Sequence, residues 1–186
     1  MEEVLTQEGH VKKMSLAFVR KATPFDAPKI YNLIVLAYAE INSELNLPGG
    51  VAALKESSWD ILKDMEKKTV LVCARNGNII GTVRYQILED KGGAKTAYIS
   101  RFCVLPEEQH SGIGTQLIQE VEAQCRALKV DALALHTPAK KTKLVQFYYK
   151  NGFYIRSTND QKGYVRGLFL KELTQKQPDL STLDGL

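Results

Sequence analysis

Cysteine is scarce in this chain, with three residues, Cys73, Cys103 and Cys125, among 186. They are far apart, odd in number and form no Cys-x-x-Cys pair, which excludes a disulfide framework and speaks against a metal site. Each lies in an apolar stretch, where a small buried thiol is the expectation, and a reducing compartment follows. Long hydrophobic runs are also missing: none approaches the length of a bilayer span, so no transmembrane segment is expected. Met1-Glu2-Glu3-Val4-Leu5-Thr6-Gln7 is acidic and has no apolar h-region, which reads against a signal peptide. The expectation is a soluble, cytoplasmic protein with no membrane partner. Charge of one sign is lacking too. Lys and Arg number 25 against 21 Asp and Glu, for a net charge of +4 and a pI near 8.9. This mild excess, without a concentrated basic stripe, excludes nucleic acid as the expected partner and suits a small anionic ligand.

What is present is a hydrophobic content of 44%, enough for one compact domain with one core. Residues 1–13 read as a loose polar arm, 14–173 as the domain, and 174–186 as a polar, mobile tail containing Pro178. A strand at Leu16–Arg20 precedes a helix over Pro28–Leu45, with apolar residues at helical spacing and Pro48-Gly49-Gly50 beyond its end. A second helix is expected over Val51–Lys67. Thr69–Ala74 and Ile79–Leu88 form a hairpin around Asn76-Gly77. The strand Ala97–Leu105 leads into a loop, and a helix runs from the glycines at 112 and 114 to Lys129 with one apolar face. A short strand, Ala132–His136, is followed by a helix, Lys141–Lys150, and final strands at Phe153–Arg156 and Tyr164–Lys171.

The chemistry is concentrated in Gln109-His110-Ser111-Gly112-Ile113-Gly114-Thr115, where a strand ends and a helix begins. A helix N-terminus offers unpaired N–H groups and about half a positive charge. Glycine lets an anion approach the backbone there. A Walker loop would need Gly-Lys-Ser/Thr, and no lysine follows Gly114. A dinucleotide fingerprint would need a third glycine, and Leu117 occupies its place. The pattern left is Gln-x-x-Gly-x-Gly between a strand and a long amphipathic helix. Downstream, Phe147-Tyr148-Tyr149-Lys150-Asn151-Gly152-Phe153 follows after one helix, one strand and one short helix.

These two motifs, in this order and at this separation, resemble those of the GNAT superfamily of N-acetyltransferases, over about Phe18 to Leu173. The resemblance implies an α/β (α+β) fold: a mixed, mostly antiparallel sheet of about seven strands with about four helices, whose splayed strands form an acyl-CoA cleft. It implies acetyl-CoA as cofactor, with the pyrophosphate on the amides of Gln109, His110, Ser111, Gly112, Ile113, Gly114 and Thr115. The pantetheine arm would lie along the backbone of Phe102, Cys103 and Val104, whose amides can polarise the thioester carbonyl. The implied reaction moves an acetyl group to a primary amine of a small molecule, amino acid or peptide within a ternary complex. A non-catalytic acyl-CoA sensor is the alternative, as is an acyltransferase for longer chains or protein substrates. The exposed final strands could pair across a homodimer.

Tyr148 matches the family's tyrosine, and a phenol of pKa about 10 is a reasonable proton donor to a thiolate of about 8.5. Tyr149 competes for the role if the helix is rotated. An attacking amine must lose a proton, and some relatives place an acid on the strand before the loop. Here Tyr98 stands in that place, and Ala97–Leu105 holds no Asp or Glu. His136, at a strand end facing the cleft, titrates in the useful range and is the candidate base through water. Glu40 and Glu44 are candidates to meet a cationic substrate, and Trp59 to line its pocket. Lys141 stands where many relatives have an asparagine, beside Lys140 and Lys143, which could meet the cofactor's phosphates.

Overall fold

The computed structural model describes residues 3–5, 11–13, 16–183 and 186. Two short strands, β1 (Glu3–Leu5) and β2 (Val11–Lys13), pair antiparallel, so the segment read as a loose arm contains a small ladder. The main body follows as β3 (Phe18–Lys21), α1 (Ala27–Leu45), α2 (Ser58–Lys67), β4 (Thr69–Arg75), β5 (Asn78–Glu89), β6 (Lys95–Val104), α3 (Ile113–Ala127), β7 (Ala132–Pro138), α4 (Thr142–Lys150), β8 (Tyr154–Asn159) and β9 (Arg166–Glu172). The expected element order holds throughout. The seven strands form one sheet in the order β3-β4-β5-β6-β7-β9-β8, in which β6 and β7 are parallel and every other pair is antiparallel. Helices on both faces make it an α/β sandwich.

The register assigns the faces. Leu71 opposes Val83, Tyr85 opposes Ile99, and Ile99, Leu135 and Phe169 continue across the sheet. This row packs against Leu117, Ile118, Val121 and Cys125 of α3 and against Tyr148 of α4. On the other face Val70 and Val72 pack against Ile30, Leu33, Ile34 and Ile61 of α1 and α2. The same face continues through Arg84, Ser100, Gln86, Tyr98 and Ala134 to Leu170. Cys73 and Cys125 are fully buried and Cys103 nearly so, and all three are free thiols, as their apolar settings implied.

Two stretches depart from the expected pattern. The second helix does not begin at Val51. A 3-10 turn covers Ala52–Lys55, and α2 starts only after Ser57, whose Oγ and Asp60 exchange the paired bonds of a capping box. Glu56 is thereby left in extended backbone between two helical pieces. The tail read as mobile is docked: a 3-10 turn at Leu180–Leu183 places Leu183, fully buried, against Ala132, Ala134, Leu168 and Leu170. The Asp179 amide also donates to Asp90 Oδ2 at 2.7 Å. No helix among the described residues is long and apolar enough to cross a membrane.

Candidate functional site

The site begins where two strands part. β6 and β7 pair from Thr96↔Ala132 to Ile99↔Leu135 and then diverge. The cause lies on the other side of β6. Its pairing with β5 slips between Thr82 and Arg84, so one β5 residue faces two on β6, and Arg101 takes a left-handed φ of 49°. Such a bulge bends a strand and reverses its facing beyond the kink. Cys103 therefore turns toward α1 and α2, and Phe102 and Val104 turn toward α3 and α4. Beyond Ile99 no strand among the described residues pairs with β6 on this side, where the Phe102 carbonyl accepts only from a side chain, Tyr38. A cavity of about 620 Å³ opens beside it in the gap between the strands, lined from both faces of the sheet.

The glycine loop follows the end of β6, and none of its residues lines that cavity. A 3-10 turn, Pro106–Glu108, is pinned by Arg75, whose Nη1 reaches both Glu108 oxygens at 2.8 and 2.9 Å. Ser111 Oγ donates to the Glu108 carbonyl at 2.5 Å. His110 and Gly112 both adopt positive φ, 64° and 87°, an alternation that points successive amides into one concavity. The first intrahelical bond of α3 runs from the Gln116 amide to the Gly112 carbonyl. Helix geometry therefore turns the amides of Ile113, Gly114 and Thr115 outward. The two glycines serve different ends. A Cβ on Gly112 would meet nothing within 4 Å, so the space over it is open for an anion. A Cβ on Gly114 would lie 3.2 Å from Phe147 and 3.3 Å from Phe102, so Gly114 lets α3 close on an aromatic stack. Ile113 is buried and contributes its amide alone.

Tyr148 lies on the cavity wall, 4% exposed, with its ring among Phe102, Phe147, Phe153 and Phe169. Burial, reinforced by the neighbouring Tyr38 and Cys103, pushes its pKa far up, so the phenol stays protonated and keeps an O–H to donate. The helix register removes its competitor: Tyr149 is 51% exposed, with its ring edge-on to Phe169. Tyr38, which reads in the sequence as part of the apolar stripe of α1, is a second, partly buried phenol on the cavity, its pKa also raised by burial of its hydroxyl. Its hydroxyl donates to the Phe102 carbonyl at 3.4 Å. The Cys103 thiol is pushed up to about 12 by burial and stays protonated, and its residue pairs with Thr82 of β5.

His136 and Tyr98 meet on the cavity floor, with the Tyr98 hydroxyl 3.0 Å from Nδ1 of His136. Burial raises the Tyr98 pKa and keeps it neutral. Beside them lies a charge network that sequence reasoning missed. Fully buried Arg84 binds Glu56 at 2.9 Å through Nη2 and Asp64 at 2.7 Å through Nη1. Glu56 also holds Nε of Arg101 at 2.5 Å, and Asp64 holds Lys68 at 2.9 Å. The signal was the Ser57-x-x-Asp60 cap, which frees Glu56 from a helix.

Other candidates fall outside the cavity. Trp59 is 64% exposed, with Lys63 Nζ over its ring, and does not line the pocket. Glu44 is engaged by Lys141, joining the end of α1 to the start of α4, so neither waits for a ligand. Glu40 is exposed on α1 away from the lining. Lys140 and Lys143 are likewise exposed.

Residues 35–153 match the model of the acetyltransferase (GNAT) family. The chain belongs to this family. A search of curated proteins gives no match. Among solved structures, the chain is similar to the PaiA N-acetyltransferase of Thermoplasma acidophilum, determined with coenzyme A. The TM-score is 0.71 at 20% identity, over 84% of this chain and 99% of that one. It is also similar to the ribosomal-protein-S18-alanine N-acetyltransferase of Escherichia coli, with TM-score 0.68 and 16% identity over 89% and 99% of the two chains. A GNAT acetyltransferase of Staphylococcus aureus Mu50 matches with TM-score 0.68 and 17% identity over 86% and 100%. At these identities the likeness shows the GNAT fold. The family's cofactor, acetyl-CoA, fits what is present: outward amides with open space over Gly112, and an unpaired β6 edge beside them.

Proposed function

We propose that this GNAT protein is an N-acetyltransferase that moves an acetyl group from acetyl-CoA to a primary amine of a small molecule, amino acid or peptide. The observation that carries this reading is the run along β6 from the cavity that Phe102 and Tyr148 line to the loop at 109–115, whose Gly114 packs on Phe102. When bound, acetyl-CoA supplies the activated acetyl group as a thioester. Gln109 to Thr115 would hold its pyrophosphate through backbone amides, and Phe102, Cys103 and Val104 its pantetheine arm through main-chain bonds. The open amides of β6 stabilise negative charge on the acyl oxygen.

The acceptor enters the cavity on the α1 and α2 side. Its nitrogen bonds to the acyl carbon, and the carbon–sulfur bond breaks. Tyr148 holds its O–H for the departing sulfur. The amine's proton passes to the Tyr98 oxygen as Tyr98 gives its own to Nδ1 of His136, directly or through water. This relay takes the place of the carboxylate that Ala97–Leu105 lacks.

The test is thiol release from acetyl-CoA across a panel of primary amines. Release that depends on an amine supports the reading, and Tyr148→Phe should lower kcat about 10- to 100-fold with cofactor affinity nearly unchanged. Tight acetyl-CoA binding without release for any amine would instead make the protein a sensor. Competition between acyl chain lengths separates acetyl transfer from transfer of a longer group.

A further inference from the structure

The sheet face that carries Tyr98 and His136 is covered in two parts. Over β4, helices α1 and α2 bring Ile30, Leu33, Ile34 and Ile61 onto Val70 and Val72. Over β7 and β9 the apolar cluster is built on Ala132, Ala134, Leu168 and Leu170, and among the described residues no side chain of α1 to α4 belongs to it. The cover there is Leu183, carried in by the 3-10 turn at Leu180–Leu183 and fully buried. The cavity's lining draws on both covers, with Tyr38 and Ile41 from α1 and Leu186 from the tail, and on Tyr98 and His136.

The register sets Leu183 beside the chemistry. Tyr98 pairs with Ala134 across β6 and β7, and His136 pairs with Leu168 across β7 and β9. All four side chains therefore stand on one face, and the patch under Leu183 holds the direct strand neighbour of each relay group. Tyr98 itself packs against this cluster, together with Leu88. A phenol ring turns about two torsions, so its hydroxyl stays in place only while packing holds the ring. Two alanines make a shallow floor that cannot brace a ring, and Leu183 fills the space above them. The tail is tied on either side of Leu183. The Asp179 amide donates to Asp90 Oδ2 at 2.7 Å, and Arg166 Nη2 donates to a Leu186 oxygen at 2.8 Å.

We propose that Leu183 is a positioning residue for the proton relay: it completes the packing that keeps the Tyr98 hydroxyl within hydrogen-bond reach of Nδ1 of His136. Its effect on rate rests on the acetyltransferase reading, whereas its effect on the Tyr98–His136 contact does not. The tail then serves the acceptor side of the site, where α1 and α2 do not reach, and leaves the cofactor side alone. Leu183 touches no reacting atom and acts through Tyr98.

The test reads contact and turnover separately, on the full chain. The contact is read by nitrogen NMR of the histidine rings. The chain has three histidines, and His136→Gln assigns the signals of His136. Tyr98→Phe gives the position of the Nδ1 signal when the contact is gone. Leu183→Ala is expected to move the signal toward that position, and Leu183→Met, of nearly the same volume, to leave it near wild type. In turnover, Leu183→Ala is expected to lower kcat/KM about tenfold, short of the roughly 100-fold loss that a misplacement of about 1 Å can bring. In a Tyr98→Phe background the same change should lower it less than about twofold, because both act through one hydroxyl. Coenzyme A affinity, measured by titration, should stay within about twofold, as for a distant and independent site. If Leu183→Ala does not fold, Leu183→Val is read in the same way. The proposal is overturned if the Nδ1 signal does not move, or if the loss of kcat/KM is equal in the two backgrounds. It is also overturned if coenzyme A affinity falls in step with kcat/KM, for Leu183 would then serve the fold as a whole. A moved signal with no thiol release from any amine, in the wild type as in the variants, would strike the acetyltransferase reading alone.

Discussion

The Tyr98 hydroxyl sits 3.0 Å from Nδ1 of His136, each on one of the two parallel strands just where these begin to part. The proton path proposed for the acceptor amine runs through this pair. His136→Gln should lower kcat/KM about 100-fold, the lower end of the range for general base catalysis. Tyr98→Phe, which keeps the ring and removes the relay oxygen, should lower kcat/KM about tenfold or more. A Tyr98→Phe enzyme with the wild-type rate would leave His136 acting through water alone.

The division of labour between Gly112 and Gly114 gives opposite signatures. Gly114→Ala drives a methyl against the Phe102–Phe147 stack, and overpacking of this kind costs about 1–3 kcal/mol. Thermal melts should show Tm falling by about 2–4 °C per kcal/mol for a chain of this size. Gly112→Ala meets no neighbour, but its φ of 87° strains any L side chain by about 1 kcal/mol. Its larger effect should be on coenzyme A affinity, read by titration. Equal loss of affinity in the two variants at equal Tm would refute the distinction.

Most of the fold was legible because its signals are local. The apolar stripes of α1 and α3, the Asn76-Gly77 turn and the strand–loop–helix pattern at the glycines each act within a few residues. Tyr148 and His136 were legible through motif and strand position. What escaped depends on long-range packing. The bulge at Arg101 is set by the pairing of β6 with β5, and nothing around Arg101 announces it. Tyr38 carries helical spacing and so reads as core, although its hydroxyl reaches Phe102. The tail offers only Leu180, Leu183 and Leu186 among polar and small residues, and the value of the first two appears only once β7 and β9 expose an apolar face. Arg84 sits in a strand with no local hint that Glu56 and Asp64 will flank it.

That network should behave as a buried one. Arg84→Met leaves Glu56 and Asp64 facing each other with only Arg101 and Lys68 as counter-ions. Removing one member of a buried pair costs about 3 kcal/mol or more. The expected Tm loss is about 6–12 °C, with a raised acceptor KM because Glu56 and Arg101 line the cavity. Adding Glu56→Gln should return part of the stability. A loss below about 1 kcal/mol would class the network with ordinary surface pairs.

Asp26 supplies a pH test with a defined sign. It ties β3 to the start of α1 by accepting from Arg20 at 2.7 and 2.9 Å and from the Thr23 amide at 2.7 Å. The Arg20 bonds, with those from Thr23, outweigh its burial and hold its carboxyl well below the usual range. A carboxyl with a lower pKa folded than unfolded contributes stability above its unfolded pKa of about 3.9, and loses it as pH falls further. Asp26→Asn should therefore cost about 1–2 kcal/mol at pH 7, at the lower end because Arg20 is partly exposed and screened. The difference from wild type should shrink steadily below about pH 4. Denaturant titrations of both proteins at pH 7 and at acid pH measure it. An unchanged difference at both would mean that Asp26 acts through turn geometry and not through its charge, since only the charge is lost on protonation.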